Sequence, residues 1–317
     1  MPKHPLRFGL QTGQQNVEWP QLVDLWTAAD GWGYDSLWAY DHFYPIFTGS
    51  GGPCLEGWTT LAALSQVTSN ARIGHLVNGN TYRHPSLTAK SAATLDVISG
   101  GRLNLGLGAG WFEEEHQSLG FDFKTVRGRL DALEEALRII KGMHAGEAVT
   151  LEGEHYSVKD AICVPRPVQP GGTPIMIGGT GRKILLRIVA QYADMWNATG
   201  SPAQIADLID IIEHHGAAVG RDTGEIEKTV MLPLCYTEDT ATQDFVCELL
   251  AGAYEIDKEA ARAQSMIGGT EQCLDKIAEY LEAGATHLIF MLIAPYDHDQ
   301  IRAFAEEVVP DAKSAQG

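Results

Sequence analysis

An aspartate and a histidine, Asp41-His42, come straight after the apolar run DSLWAY. An imidazole has an ordinary pKa of about 6.5, so at a strand end it can hand over or accept a proton near neutrality. Hydride chemistry on an alcohol, a carbonyl or an activated alkene requires such a group. The structural alternative is a hydrogen-bonded histidine with no role in chemistry. Two glycine turns accompany the pair. In RLNLGLGAGWFEEEH, from Arg102 to His116, Leu103, Leu105 and Leu107 alternate as in a strand, and Gly106, Gly108 and Gly110 strip side chains where it ends. This turn lacks Lys and Arg and runs into Glu113, Glu114 and Glu115, which repel a phosphate. It reads as the floor for an uncharged flat ring, with Trp111 as a wall, against the alternative of a tight strand-to-helix turn with an acidic helix start. The second turn, Gly178-Gly179-Thr180-Gly181-Arg182-Lys183, offers backbone donors, a hydroxyl and two cations, and suits an anion. It has no Gly-Lys-Ser/Thr ending, which argues against a nucleotide-hydrolysing loop. Paired, the turns point to a phosphate-tailed ring cofactor. Trp38, Trp111 and Trp196 are candidates for an apolar substrate pocket or, as is commoner, for core.

These residues act together only if strand ends converge, and the chain alternates strands and helices throughout. LRFGLQT, DSLWAY, ARIGHLV and the Leu103 run read as four strands, and helices with apolar residues at helical spacing follow them, the long one carrying Val126, Leu130, Leu133, Leu137 and Ile140. Pro85 fits the first position of the third helix. From about 146 to 172 the rhythm breaks into VTLEGEHYSV and a proline-rich stretch, read as a hairpin excursion before the fifth strand. PIMIG, ADMWNATG, TVMLPLCY and THLIFMLI complete eight, although Pro233 weakens the seventh. Asp239 to Ile267 reads as loosely helical, and the last few residues as a frayed tail. Eight alternations imply an α/β fold, a closed TIM (β/α)8 barrel forming one domain over 1–317, whose functional loops all lie at the C-terminal ends of the strands.

The composition narrows the partners. With 23 basic and 41 acidic residues the formal charge is -18, which argues against nucleic acid or an anionic membrane surface and favours a small-molecule substrate. Five widely spaced cysteines, Cys54, Cys163, Cys235, Cys247 and Cys273, read as buried thiols in a reducing compartment. No run approaches the roughly 20 apolar residues of a membrane span, so a cytoplasmic protein is expected. His214, His215, His116 and His298 form no ligand pattern, and no metal is expected.

Asp41-His42-Phe43, the run NTYRHPSLTAKSAATLDVISGGRLNLGLGAGW from Asn80 to Trp111, and IGGTGRKILLRIVAQYADMWN from Ile177 to Asn197 together resemble the bacterial luciferase-like superfamily. Within it they resemble the branch of oxidoreductases that use the deazaflavin coenzyme F420. The resemblance covers nearly the whole chain and implies the same barrel with an insertion before the fifth strand. It implies that Asp41 and His42 contact the deazaflavin, with His42 beside its reactive carbon. It also implies a non-proline cis peptide at Leu76-Val77, with Asn78 and Gly79 at the ring edge. Gly108, Ala109, Gly110 and Trp111 match the turn against the ring, and Gly178, Gly179, Thr180 and Gly181 match the phosphate and ribityl end. A homodimer is implied by the family alone. One departure stands out: sugar-phosphate dehydrogenases of this branch carry a catalytic glutamate where this chain has Trp111, which makes glucose 6-phosphate a poor substrate candidate. Glu113 or Glu114 is left as the carboxylate to reach the site. The resulting expectation is an F420-dependent oxidoreductase with His42 as proton donor or acceptor. The alternatives are an FMN-dependent luciferase-like or alkanesulfonate-type monooxygenase, and a non-catalytic cofactor-binding partner protein. Substrate choice is assigned to loops around Phe43 to Pro53 and Asp239 to Ile267.

Overall fold

A computed structural model describes residues 3–46, 49 and 51–316; Phe47, Thr48 and Ser50 of the loop expected to bear on substrate choice lie outside the described residues. The chain runs β1 (Arg7–Thr12), α1 (Trp19–Gly31), β2 (Ser36–Ala39), α2 (Gly57–Leu64), β3 (Arg72–His75), β4 (Asn78–Gly79), α3 (Pro85–Ile98), β5 (Leu103–Gly108), α4 (Glu113–Leu119) and α5 (Val126–Ala145). The expected excursion follows as an antiparallel hairpin of β6 (Val149–Glu152) and β7 (Ser157–Ala161). Then come β8 (Ile175–Gly178), α6 (Leu185–Tyr192), β9 (Met195–Ala198), α7 (Pro202–Val219) and β10 (Glu227–Tyr236). The chain closes with α8 (Thr240–Tyr254), α9 (Lys258–Ala263), β11 (Met266–Gly268), α10 (Thr270–Glu282), β12 (His287–Leu292), α11 (His298–Glu307) and α12 (Val309–Gln316).

Eight parallel strands, ordered β1-β2-β3-β5-β8-β9-β10-β12, pair in a ring that closes between β12 and β1. This is the TIM barrel that the alternation predicts. Side chains alternate across each strand, so Leu37, Ile177 and Phe290 face the surrounding helices in the main core. Their neighbours Trp38, Met176 and Ile289 fill the barrel interior. Trp38 and Trp196 are therefore fully buried core and not pocket walls, the commoner fate of a strand tryptophan. Among the described residues no helix is long and apolar enough to cross a membrane.

Two local readings change, and the seventh strand forms despite Pro233. Met266 and Ile267, at the end of the stretch expected to be helical, belong to a short strand, Met266–Gly268, that pairs with the end of β10. Pro233 is tolerated in β10 because pairing with β9 ends at Val230 and pairing with β11 begins at Leu234. The expected frayed tail is helical through Gln316, held by buried Val309 and Ala312 and by a Lys313–Asp35 ion pair of 2.9 Å.

The N-terminal end of the barrel is plugged by polar groups at the starts of three strands. His287 Nδ1 lies 3.1 Å from Glu227 Oε1 and its Nε2 lies 2.7 Å from Ser36 Oγ, which also accepts from Trp38 Nε1. Arg7 reaches Glu227 from outside at 3.0 Å. Burial would raise the Glu227 carboxyl, but His287 and Arg7 outweigh it and hold the pKa at about 2. The opposite end of the barrel is left for the site.

Candidate active site

The third barrel strand does not run straight. Between Gly74 paired with Asn104 and Asn78 paired with Leu107, the β3–β4 side takes four steps where β5 takes three. The extra residue makes a bulge at Leu76-Val77, whose peptide is cis as the resemblance implies. This bulge explains the glycines of the fourth strand. A Cβ on Gly106 would lie 2.0 Å from the His75 carbonyl oxygen, and one on Gly108 would lie 2.8 Å from Val77 Cγ2. Gly178 is also apposed to Val77, at 3.1 Å. Gly106 and Gly108 thus make room for the protein's own bulge, and Val77 lines the cavity together with Gly108 and Gly110. Of the three glycines read as the ring floor, Gly108 and Gly110 line the cavity and Gly106 does not. Gly110, at φ +79°, leaves room for Thr81.

At the C-terminal strand ends lies a cavity of about 420 Å3, within the ordinary range for a cofactor or small-molecule site. Asp41, His42, Leu76, Val77, Asn78, Gly79, Gly108, Ala109, Gly110, Trp111, Gly178 and Gly179 all line it. Thr180 and Gly181 do not: both are exposed beyond its rim. Two grips expected of that second turn are already used, since the Gly179 N–H donates to Asn197 O at 2.9 Å and Arg182 pairs with Asp207. Trp111 sits at the mouth, 61% exposed, with its ring 5.5 Å from that of His42. Gln11, Tyr40, Tyr82, Asn197, Met231 and Met291 also reach the cavity and carried no sequence signal of it.

His42 is held by a carboxylate that was not among the candidates. Glu113 and Glu114 face solvent, whereas Glu115 is fully buried. With the helix beginning at Glu113, its third residue turns inward under the loop after β2. Glu115 Oε2 accepts from His42 Nδ1 at 3.0 Å and from the Tyr82 hydroxyl, while Oε1 accepts from the amides of Phe43 at 2.5 Å and Tyr44 at 2.9 Å. Burial alone would raise the Glu115 pKa, but the hydrogen bonds from His42 and Tyr82, aided by the Phe43 amide, keep it below the usual glutamate value. The carboxylate is therefore ionised at neutral pH and acts as an acceptor only, so Nδ1 of His42 carries a proton and Nε2 is the nitrogen left to exchange one. Cys54, only partly buried, donates from Sγ to the His42 carbonyl at 3.3 Å.

Asp41 is buried beside it. Its Oδ2 accepts from Arg83 Nη1 at 2.6 Å and from the Gly79 amide at 3.2 Å, and Arg83 reaches on to Glu56 at 2.8 Å. Asp41 Oδ1 and Asn78 Oδ1 are both buried with no partner among the described residues. Buried polar atoms are normally satisfied, so two orphaned acceptors on one cavity wall fit a ligand that brings donors at its edge. His116, in contrast, is internal structure: it is buried, with Nε2 2.6 Å from Thr81 Oγ1 and Nδ1 2.7 Å from Phe112 O.

Residues 4–244 match the luciferase-like monooxygenase family. The chain is 30% identical to an F420-dependent glucose-6-phosphate dehydrogenase of Microbacterium testaceum, over 96% of this chain and 97% of the relative. It is 29% identical to one of Kineococcus radiotolerans over the same shares. In fold it is similar to an F420-dependent secondary alcohol dehydrogenase solved with an F420-acetone adduct, with a TM-score of 0.86 at 20% identity over 98% of this chain and 99% of that one. It is also similar to the coenzyme F420 dependent tetrahydromethanopterin reductase of Methanopyrus kandleri, with a TM-score of 0.82 at 22% identity over 97% of this chain and 99% of that one. The chain belongs to the luciferase-like monooxygenase family, in its branch of F420-dependent oxidoreductases.

Proposed function

We propose that the protein exchanges a hydride between coenzyme F420 and a small organic substrate, with His42 as the proton donor or acceptor. The observation that carries this reading is His42 on the cavity wall with Nδ1 tied to the ionised Glu115. When bound, the reduced coenzyme supplies the hydride. The chain's own residues do the rest. Val77 and the bulge around it would hold the ring, and Asp41 Oδ1 and Asn78 Oδ1, buried without partners among the described residues, would accept from donors on its edge. The amides of Thr180 and Gly181, in the exposed turn ahead of α6, are offered to the tail. Glu115 fixes the imidazole so that a proton leaves or arrives at Nε2, next to the bond that changes. The pairing of two copies that accompanies this reading rests on the family resemblance, and the cytoplasmic location on the reading of the cysteines as thiols of a reducing compartment.

Titration of the purified protein with F420 and with FMN, followed by fluorescence, tests the assignment. Tight binding of F420 and weak binding of FMN supports it. Tight FMN binding with oxygen consumption would replace it with the monooxygenase reading, and tight F420 binding without turnover on any acceptor would favour a cofactor-binding partner protein.

A further inference from the structure

A second chamber of about 390 Å3 opens beside the first, and Ile46, Trp111, Met231 and Met291 line both. Its outer wall comes from three places: Thr199 just past β9, Leu232 and Pro233 of β10, and Tyr254, Ile256 and Gln264 in the segment that joins β10 to β11. Among the described residues that line it there is no Lys, Arg, His, Asp or Glu. The cations nearest in sequence are committed elsewhere: Lys258 pairs with Asp244 and Glu248, and Arg262 with Asp244. The polar groups that remain are neutral, the hydroxyls of Thr199 and Tyr254 and the amide of Gln264.

Resting on the F420 reading, we propose that this chamber is the substrate site and that it takes an uncharged, largely apolar carbonyl compound or the corresponding alcohol, and not a sugar phosphate. A phosphate dianion here would lose its hydration with no cation in the lining to replace it. An apolar body instead removes the methionine, leucine and isoleucine walls from water. In the reducing direction the carbonyl carbon accepts the hydride with its electron pair, the C=O π bond opens onto oxygen, and that oxygen takes the proton from Nε2 of His42. The coenzyme is oxidised, the carbonyl becomes an alcohol, and the reverse balances identically.

The experiment uses the F420-loaded protein, with coenzyme affinity measured separately by fluorescence. In the oxidising direction cyclohexanol and 1-phenylethanol are compared with glucose 6-phosphate; in the reducing direction cyclohexanone and acetophenone are offered to the reduced coenzyme. At least one neutral compound is expected to turn over with kcat/KM about 100-fold or more above that of glucose 6-phosphate. Thr199→Trp, at an exposed position that lines only the second chamber, is expected to raise KM for that compound by about tenfold or more with coenzyme affinity changed by no more than about twofold. Binding of F420 with no neutral compound turned over, equal use of glucose 6-phosphate, or an unchanged KM in Thr199→Trp would overturn the assignment. Failure of F420 to bind would remove the reading beneath it.

Discussion

His42 Nδ1 and Glu115 Oε2 lie 3.0 Å apart, with the carboxylate fully buried and the imidazole on the cavity wall. The pair works as one unit because the same carboxylate also gathers two amides and the Tyr82 hydroxyl. Rotation of Glu115 would leave several buried donors unpaired, so the imidazole inherits the rigidity of the loop after β2.

Glu115→Gln keeps the shape and removes the charge. It is expected to lower kcat by about 10- to 100-fold while the F420 dissociation constant stays within about threefold, since Glu115 positions His42 and does not line the cavity. Glu115→Ala is expected to destabilise the fold by about 3–5 kcal/mol, because the donors lose their buried acceptor. Steady-state kinetics beside coenzyme titration checks the first expectation, and urea unfolding the second. Equal losses of affinity and turnover in Glu115→Gln would show general disruption instead of positioning.

Much of this site was legible in the chain and part was hidden for definite reasons. Asp41-His42 and the two glycine turns announced themselves because they end strands, and a barrel gathers strand ends. Glu115 did not, because three consecutive glutamates look alike until the starting residue of the helix, Glu113, decides which of them faces inward. The glycines showed that a Cβ was excluded at positions 106 and 108, but a sequence does not say whether a ligand or the protein's own bulge excludes it. Met266–Gly268 is too short for alternation to register, and the C-terminal helix begins at Val309-Pro310 in a polar stretch where only tertiary packing of Val309 and Ala312 makes it worthwhile.

The bulge makes an opposite pair of glycine predictions. Gly106→Ala drives a methyl group into backbone, the His75 carbonyl, which has no rotamer to yield. A loss of about 1–3 kcal/mol or more is expected, together with weakened coenzyme binding, as the bulge is displaced. Gly31→Ala, at the end of α1 with nothing near its added Cβ, is expected to be neutral or to stabilise by up to about 1 kcal/mol. Thermal or urea unfolding of the two variants distinguishes the effects, and equal behaviour would mean that Gly106 is not packed against the bulge.

The polar plug at the far end of the barrel sets a pH dependence. Glu227 has its pKa depressed from 4.5 to about 2, so its contribution to stability is fully present above pH 4.5 and is lost as the pH falls toward 2. The shift corresponds to about 3 kcal/mol at neutral pH. Glu227→Gln is expected to lower stability at pH 7 and to flatten the decline between about pH 4.5 and 2, with little effect on coenzyme affinity at the opposite end. Urea midpoints measured across that pH window check it. An unchanged acid slope would mean that Glu227 is not held by His287 and Arg7 as described.

Turnover of His42→Ala, measured with F420 affinity on the same preparation, tests the central claim most directly. The account predicts a loss of about 10²- to 10⁴-fold in kcat with coenzyme binding largely retained. A kcat within about twofold of the unmodified protein would contradict it and take the proton transfer away from His42.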